Sequence, residues 1–281
     1  MTMAVNLPSA YSKVLDATYK LESLTAPAFK GKYQVIGGTT KSFQIFSTKT
    51  QALRDYSVRK SANGTSFGYE YKDAENEVQT VTASKDMYFA MSIDKADAHF
   101  AADGSLDARE VMKEEISQEV VPTIDKHNLS VLANAAAAVV KATTNADAYE
   151  TFSSLMVKQT NAKVPRVGRV AFFGATEFAK IKLDPKFTIP SELSAHSRRT
   201  GNYGMIDGCL IIEVPDDYLP TKFTCILTHE SAAAAPKHLA DYNQGPFKET
   251  ASGFYVNGRV VFDAFVFNQR KSGIFALKSA A

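Results

Sequence analysis

A serine between two glycines, Gly64-Thr-Ser66-Phe-Gly68, fits the Gly-x-Ser-x-Gly elbow that presents a hydrolytic nucleophile. That chemistry needs a strand before the serine, a helix after it, and an acid and a histidine further on. Here a turn cluster, 59–64, precedes Ser66, and Tyr-Glu-Tyr alternates behind it as a strand does. A glycine at the bend of a hairpin strand explains the pattern more simply. His229-Glu230 opens like a zinc-protease helix, but Ala233 stands where the second histidine must lie one turn on. Asp94, Asp97, Asp103 and Asp107 resemble a calcium loop, yet Asp103-Gly-Ser comes too late and the terminal acid is missing. They read as a solvated lead-in to a helix. Cys209 and Cys225 lie in apolar runs without a Cys-x-x-Cys pair, which predicts buried thiols in a reducing compartment. His127 falls in a helical pattern and reads as a packed histidine. Arg198-Arg199, beside Gly201 and Gly204, is a loop tip and a weak polyanion site. No glycine-rich phosphate loop occurs. These residues predict no catalytic, cofactor-binding or metal site, with a Ser66 hydrolase as the one enzyme alternative.

The chain has 281 residues, 45% hydrophobic and 22% charged, enough to bury a sizeable core without disulfides. Lys and Arg total 32 against 30 acids, a net charge of +2. That balance gives no electrostatic case for tight nonspecific nucleic-acid binding, although contact with nucleic acid at an interior wall stays open. The start, Met1-Thr-Met-Ala-Val-Asn-Leu-Pro-Ser, lacks a basic leader and long apolar run, so no signal peptide is expected. No window reaches the ~18 apolar residues of a membrane span.

Residues 1–40 hold a short amphipathic piece, 11–24, and then Pro27, Gly31 and Gly37-Gly38, which reads as an arm. Residues 41–84 alternate as strands at 41–46, 65–71 and 78–82, with Asn63-Gly64 as a hairpin turn. This hairpin has too few large aliphatic side chains for its own core and must lie against something else, another subunit being one option. Residues 105–142 carry the longest helical signal: Leu106, Val111, Met112, Ile116, Val120, Ile124, Val131 and Leu132 step by three to four, with Asp103 or Ser105 as cap. Pro122 should kink or split that helix. From 147 to 240 strands and helices alternate: helix 148–158, strand 169–173, helix 176–182, polar loop 191–202, strands 209–214 and 223–227. The tail, 253–267 and 273–277, reads as sheet.

The ordered set resembles the tailed-bacteriophage major capsid proteins of the Hong Kong 97-type fold. Four stretches carry the likeness: Ala52-Leu-Arg-Asp-Tyr-Ser through Gly68 to Val81, leading into Met87-Tyr-Phe-Ala-Met-Ser-Ile; Glu114-Glu-Ile-Ser-Gln-Glu-Val-Val-Pro-Thr-Ile-Asp125; Val164-Pro-Arg-Val-Gly-Arg-Val-Ala-Phe-Phe with Leu183-Asp-Pro, Gly208-Cys-Leu-Ile-Ile-Glu-Val-Pro and Leu219-Pro; and Val256-Asn-Gly-Arg-Val-Val-Phe-Asp-Ala-Phe-Val with Gly273-Ile. The resemblance implies an α+β chain with an N-terminal arm (1–40), an extended hairpin or E-loop (41–84), a peripheral domain (85–147 and 236–281) built on a spine helix (105–142), and an α/β axial domain (148–235). It implies self-assembly as hexamers and pentamers into an icosahedral shell. Inter-subunit contacts are expected from Arg54, Asp55, Arg59, Lys60 and Phe67. The expected partners are other copies, a separate scaffolding protein (the arm being too short to contain one), a portal protein, packaged double-stranded DNA at the inner wall and a decoration protein, with no membrane. The expected location is the virion, with assembly in the host cytoplasm. Some members cross-link through a lysine and an asparagine; Lys60 with Asn257 or Asn268 could be nominated, but no acid is placed to promote the reaction. Ring closure in two sizes needs joints, and Pro122, Gly37-Gly38 and the 201–208 loop are candidates. An encapsulin shell of the same fold and a monomeric adhesin or tail module are the alternatives.

Overall fold

The computed structural model of the chain describes residues 23–30, 42–48, 52–53, 73, 75–96, 108–140, 148–184, 204–247 and 252–279. The chain divides into two compact units, residues 33–82 and the remainder. In the smaller unit β1 (Ser42–Thr48) pairs antiparallel with β2 (Asn76–Thr82), Ser42 opposite Thr82 and Thr48 opposite Asn76. Asn76, Val78, Thr80 and Thr82 are exposed at alternate positions of β2, and Val81 is buried. The Asn63-Gly64 turn and the strand expected at 65–71 lie outside the described residues.

The larger unit begins, among the described residues, with the segment 23–30 and β3 (Lys85–Asp94). Then come α1 (Ala108–Glu115), a π-helical turn Ile116–Val120, and α2 (Val121–Ala135). β4 (Ala137–Val140), α3 (Ala148–Asn161), β5 (Arg169–Gly174) and α4 (Ala175–Leu183) follow. The remaining strands are β6 (Met205–Ile206), β7 (Cys209–Val214), β8 (Phe223–His229), β9 (Ala233–Ala234), β10 (Lys237–Pro246), β11 (Gly253–Phe262), β12 (Phe265–Val266) and β13 (Phe275–Lys278).

Six strands form one mixed sheet in the order β4-β13-β8-β5-β7-β6. β5 lies inside it, parallel to β7 and antiparallel to β8, and all six of its residues are buried. Its period-2 alternation serves two cores. Val170 and Phe172 face a cluster containing Ala28, Leu129, Leu132 and Tyr218; Ala171 and Phe173 face Phe152, Leu155, Phe178 and Ile181. Helix α2 therefore covers one face, and α3 and α4 cover the other. Full burial of a phenylalanine such as Phe172 or Phe173 stabilises by about 1.5–3 kcal/mol each. At the start of β5, the buried Arg169 guanidinium donates to the carbonyls of Val164 at 2.7 Å and Pro165 at 3.0 Å and to Thr160 at 3.1 Å. Burial pulls its pKa down.

A second sheet, β10-β11-β3, is antiparallel throughout. Gly258 at its centre faces Phe89 on one side and Tyr242 on the other. Their rings approach to 6.2 Å, and a Cβ on Gly258 would lie 2.4 Å from Phe89 Cε1. Only glycine leaves room for that aromatic pair.

The long helix departs from expectation at two places. Helical structure runs on through Pro122, which sits in the first turn of α2 directly after the π-helical turn. A proline ring collides with the carbonyl four residues back and lacks an N–H, and a π turn relieves both. The helix also stops at Ala135 rather than 142. Ala136 is extended (φ −71°, ψ 146°), and 137–140 run as β4, parallel to β13, with the Ala137 N–H donating to Ile274 O at 2.9 Å. Sheet hydrogen bonding overrides the helix propensity of that alanine run. β4 (137–140) and β13 (275–278) thereby belong to the six-stranded sheet.

Candidate interaction surface

The N-terminal strap is fixed from the middle of the long helix. Asp125, 1% exposed, lies on the buried stripe of α2 with Ile124, Asn128, Leu129 and Leu132. Its Oδ1 accepts from Ser23 Oγ at 3.0 Å and from Thr25 Oγ1 at 2.5 Å, and its Oδ2 from the Leu24 N–H at 2.8 Å. Asn128 Nδ2 donates to Thr25 Oγ1 at 3.0 Å. A buried carboxylate without a cation is tolerable only with such donors. Beyond Asp125, Ala28 enters the core, and the Lys30 N–H donates to Glu230 O at 2.9 Å while its ammonium pairs with the Glu230 carboxylate at 3.1 Å. The strap thus runs from the helix to the end of β8.

Two residues on, and about half a turn round the helix, His127 Nε2 donates to Asp263 Oδ1 at 2.9 Å, with its ring edge-on to Phe262 at 5.6 Å. Asp263 also accepts from the N–H groups of Ala264 at 2.7 Å and Ser84 at 2.9 Å. Burial alone would push this carboxyl up; the hydrogen bonds from His127, Ala264 and Ser84 outweigh it and hold it below its ordinary value. An acid depressed in the folded state contributes stability above its unfolded pKa and loses it as pH falls through the folded one. Asp263→Asn should therefore cost the unassembled subunit about 1–2 kcal/mol at neutral pH. The gap should close only below about pH 4; urea unfolding at a series of pH values measures it.

The helix and the second sheet leave a groove of about 290 Å³ between them, floored by Val260 and Phe262. β3 contributes Met87 and Tyr88, which are 48% and 82% exposed, and the helix contributes Glu115 and Glu119. Burial, and then the neighbouring Glu119, push the Glu115 carboxyl up. Among the described residues β3 pairs with β11 alone, so its other edge carries no strand. On the opposite sheet face Arg259 grips Asp86 with two hydrogen bonds, at 2.9 and 2.8 Å, fixing the β11–β3 register.

No family model and no curated protein sequence matches the chain. Solved structures do. One from Mycobacterium phage Che8 superposes with a TM-score of 0.71 at 15% identity, covering 98% of both chains. The capsid of cyanophage P-SCSP1u gives 0.69 at 14% identity over 98% of this chain and 93% of that one. The capsid of Ralstonia phage GP4 gives 0.65 at 11% over 98% and 96%. The fold is that of phage capsid subunits.

Within this capsid fold, the residues nominated for inter-subunit contact, Arg54, Asp55, Arg59, Lys60 and Phe67, lie outside the described residues, as does Ser66. Their neighbour Leu53 is fully exposed. Asn257 is exposed in mid-β11 opposite Ala90 and Asn243, and Asn268 opens a 3₁₀ turn, 268–273. His229 Nε2 meets Val167 O at 2.8 Å and its Nδ1 meets Ser231 Oγ at 2.9 Å, while Glu230 holds Lys30; both belong to the framework. Asp94 caps a turn by accepting from the Ala96 N–H at 2.7 Å, and Asp97, Asp103 and Asp107 are outside the described residues. Among the described residues no cluster of metal-ligating side chains occurs and no helix is long and apolar enough to cross a membrane. Both cysteines are buried thiols; burial pushes Cys209 up to about 12 and Cys225 well above its usual value. Asp125, Asp263 and the Glu115–Glu119 groove were missed in the sequence. Asp125 alone left a trace, as an acid on an otherwise apolar helical stripe.

Proposed function

We propose that the chain is the major capsid protein of a tailed bacteriophage, assembling as hexamers and pentamers into an icosahedral head around double-stranded DNA. The observation that carries this reading is coverage: a likeness spanning 98% of this chain and over nine-tenths of each phage chain leaves no segment for another fold. In this reading α1, the π turn and α2 form the spine helix, and β3, β10 and β11 the rest of the peripheral domain. The six-stranded sheet with α3 and α4 is the axial domain, taking in 137–140 and 275–278. The unit 33–82 is the E-loop, whose Arg54, Asp55, Arg59, Lys60 and Phe67 touch neighbouring subunits, and the strap 23–30 roots the N-terminal arm. A scaffolding protein, a portal protein and a decoration protein complete the partners, with assembly in the host cytoplasm.

Purified protein, supplied with the phage's scaffolding protein, should elute in the void volume of a sizing column. Negative-stain micrographs should show closed particles of uniform diameter. A chain that stays monomeric under all assembly conditions, scaffold included, overturns the proposal.

A further inference from the structure

Three loops meet at one end of the six-stranded sheet: 162–168 before β5, 230–232 after β8, and the 3₁₀ turn 268–273 before β13. They meet because β5 and β13 start where β8 ends, Arg169 lying opposite His229 and Phe275 opposite Leu227. Hydrogen bonds lock them together. His229 Nε2 donates to Val167 O at 2.8 Å, the Glu230 N–H to Gly168 O at 2.8 Å, Gln159 Nε2 to Gly273 O at 3.1 Å, and Arg270 to Ser231 O. Around this end Lys158, Lys163, Arg166, Arg270 and Lys271 are all exposed. Residues 158–169 and 267–274 contain no acid, and the one acid of the third loop, Glu230, is taken by Lys30. Among the described residues none of the five cations carries an ion pair. At the other end of the sheet the charges are matched, Lys182 with Glu213 at 3.2 Å and Lys126 with Asp217 at 2.7 Å. Folding thus concentrates a basic surface that the chain's net charge of +2 conceals.

The negative end of α3 favours Lys158 and Lys163 here. Its last carbonyls, however, already accept from the N–H groups of Ala162, Lys163 and Val164, and its dipole does not call for Arg270-Lys271, a hundred residues on. Asn161, Gln269 and Ser272, polar side chains of the kind that donate to phosphate oxygens, stand exposed among the cations. The large exposed apolar residues are two valines, Val157 and Val167, without the aromatic anchors that centre a protein interface. We propose that this end of the sheet binds the phosphate backbone of double-stranded DNA, regardless of base sequence, and that it faces the interior of the shell. This rests on the capsid reading and assigns the surface of the subunit that meets the genome.

Fluorescence anisotropy with a short labelled duplex and the unassembled full-length chain tests the binding. The logarithm of the binding constant should fall against the logarithm of salt concentration with a slope of about −4. Lys163→Asn, Arg166→Gln and Lys271→Gln together should stay folded by circular dichroism, weaken binding at low salt at least about tenfold and bring the slope to between about −1 and −2. Asparagine is chosen at 163 because the backbone there is left-handed, with φ 60°. Lys180→Gln, Lys182→Gln and Lys278→Gln, equal in charge but away from this end, should change affinity less than about twofold. Equal losses from the two triple variants would reduce the effect to net charge and overturn the surface. Polyglutamate competing as well as DNA at equal charge would make the partner an acidic protein and overturn it too. Lysine acetylation read by mass spectrometry tests the orientation: Lys158, Lys163 and Lys271 should react several-fold less in DNA-filled heads than in emptied shells, and Lys180 and Lys182 equally in both. Equal reactivity of the first three in filled and emptied shells overturns the proposal and leaves the capsid reading standing. Duplex binding through these cations by a chain that never forms shells, scaffold included, overturns the capsid reading and keeps the DNA surface.

Discussion

Asp125→Ala is expected to lower the stability of the unassembled subunit by about 3 kcal/mol, among the largest effects of any single polar substitution. The carboxylate is the common acceptor for the Ser23 hydroxyl, the Leu24 N–H and the Thr25 hydroxyl, all donated from about a hundred residues away. Alanine removes all three bonds and leaves the Leu24 N–H without an acceptor. It also leaves Thr25, 1% exposed, with only the Asn128 amide. Asp125→Asn keeps an oxygen for the hydroxyls but turns an amide N–H toward the Leu24 N–H, so roughly half the loss is expected. Urea unfolding measures both. A second readout separates a loosened strap from a weakened core: trypsin should cut after Lys30 much faster in the alanine variant, because that residue's backbone and side chain are held to Glu230 only while the strap is seated. Wild-type stability to within about 0.5 kcal/mol, or unchanged cleavage, would mean that the strap is held by Leu24, Ala28 and Phe29 packing alone.

What could be read from the sequence was what local pattern decides. β5, β7 and β8 stood out as apolar runs, and the cysteines of β7 and β8 as buried thiols, because a strand inside a covered sheet needs no polar face. α3 and α4 were legible by period; the break expected at Pro122 was not, since a π-helical turn carries the helix through it. β10 was not. Lys-His-Leu-Ala-Asp-Tyr-Asn-Gln-Gly-Pro has little strand character of its own and becomes one through its register with β11. For 137–140 local propensity pointed the wrong way, since alanines favour helix and only β13, more than a hundred residues on, makes them a strand. The site followed the same division. An acid on an apolar stripe was visible at Asp125, but nothing local ties it to Ser23 or Thr25. The Glu115–Glu119 groove exists only once β3 and β11 lie under the helix, and Asp263 acquires its role from His127 and Ser84.

Replacing residues 55–77 by a short Gly-Ser linker is expected to abolish shell formation while leaving the rest of the subunit folded. The two halves of that outcome have separate causes. Residues 33–82 form a compact unit of their own, and among the described residues β1 and β2 pair only with each other. The cores built on β5, α2, α3 and α4 draw their side chains from the strap and from residues beyond 128. Circular dichroism should therefore retain the helical signal, and the urea midpoint should move little. Assembly should fail because an isolated two-stranded ribbon is marginal in water. Its sequence, basic at 54–60 and acidic at 73–77, is suited to charge pairing across a subunit boundary, which salt weakens. On a sizing column the variant should run as monomers or small oligomers where the wild type runs in the void. The charge-reversed Arg59→Glu, Lys60→Glu protein should fall between them, nearer the wild type at high salt than at low. Global unfolding of the linker variant would make the ribbon part of the intramolecular core. Full-sized shells from it would make the ribbon dispensable, and the proposed contacts of Arg54, Asp55, Arg59, Lys60 and Phe67 would fall with it.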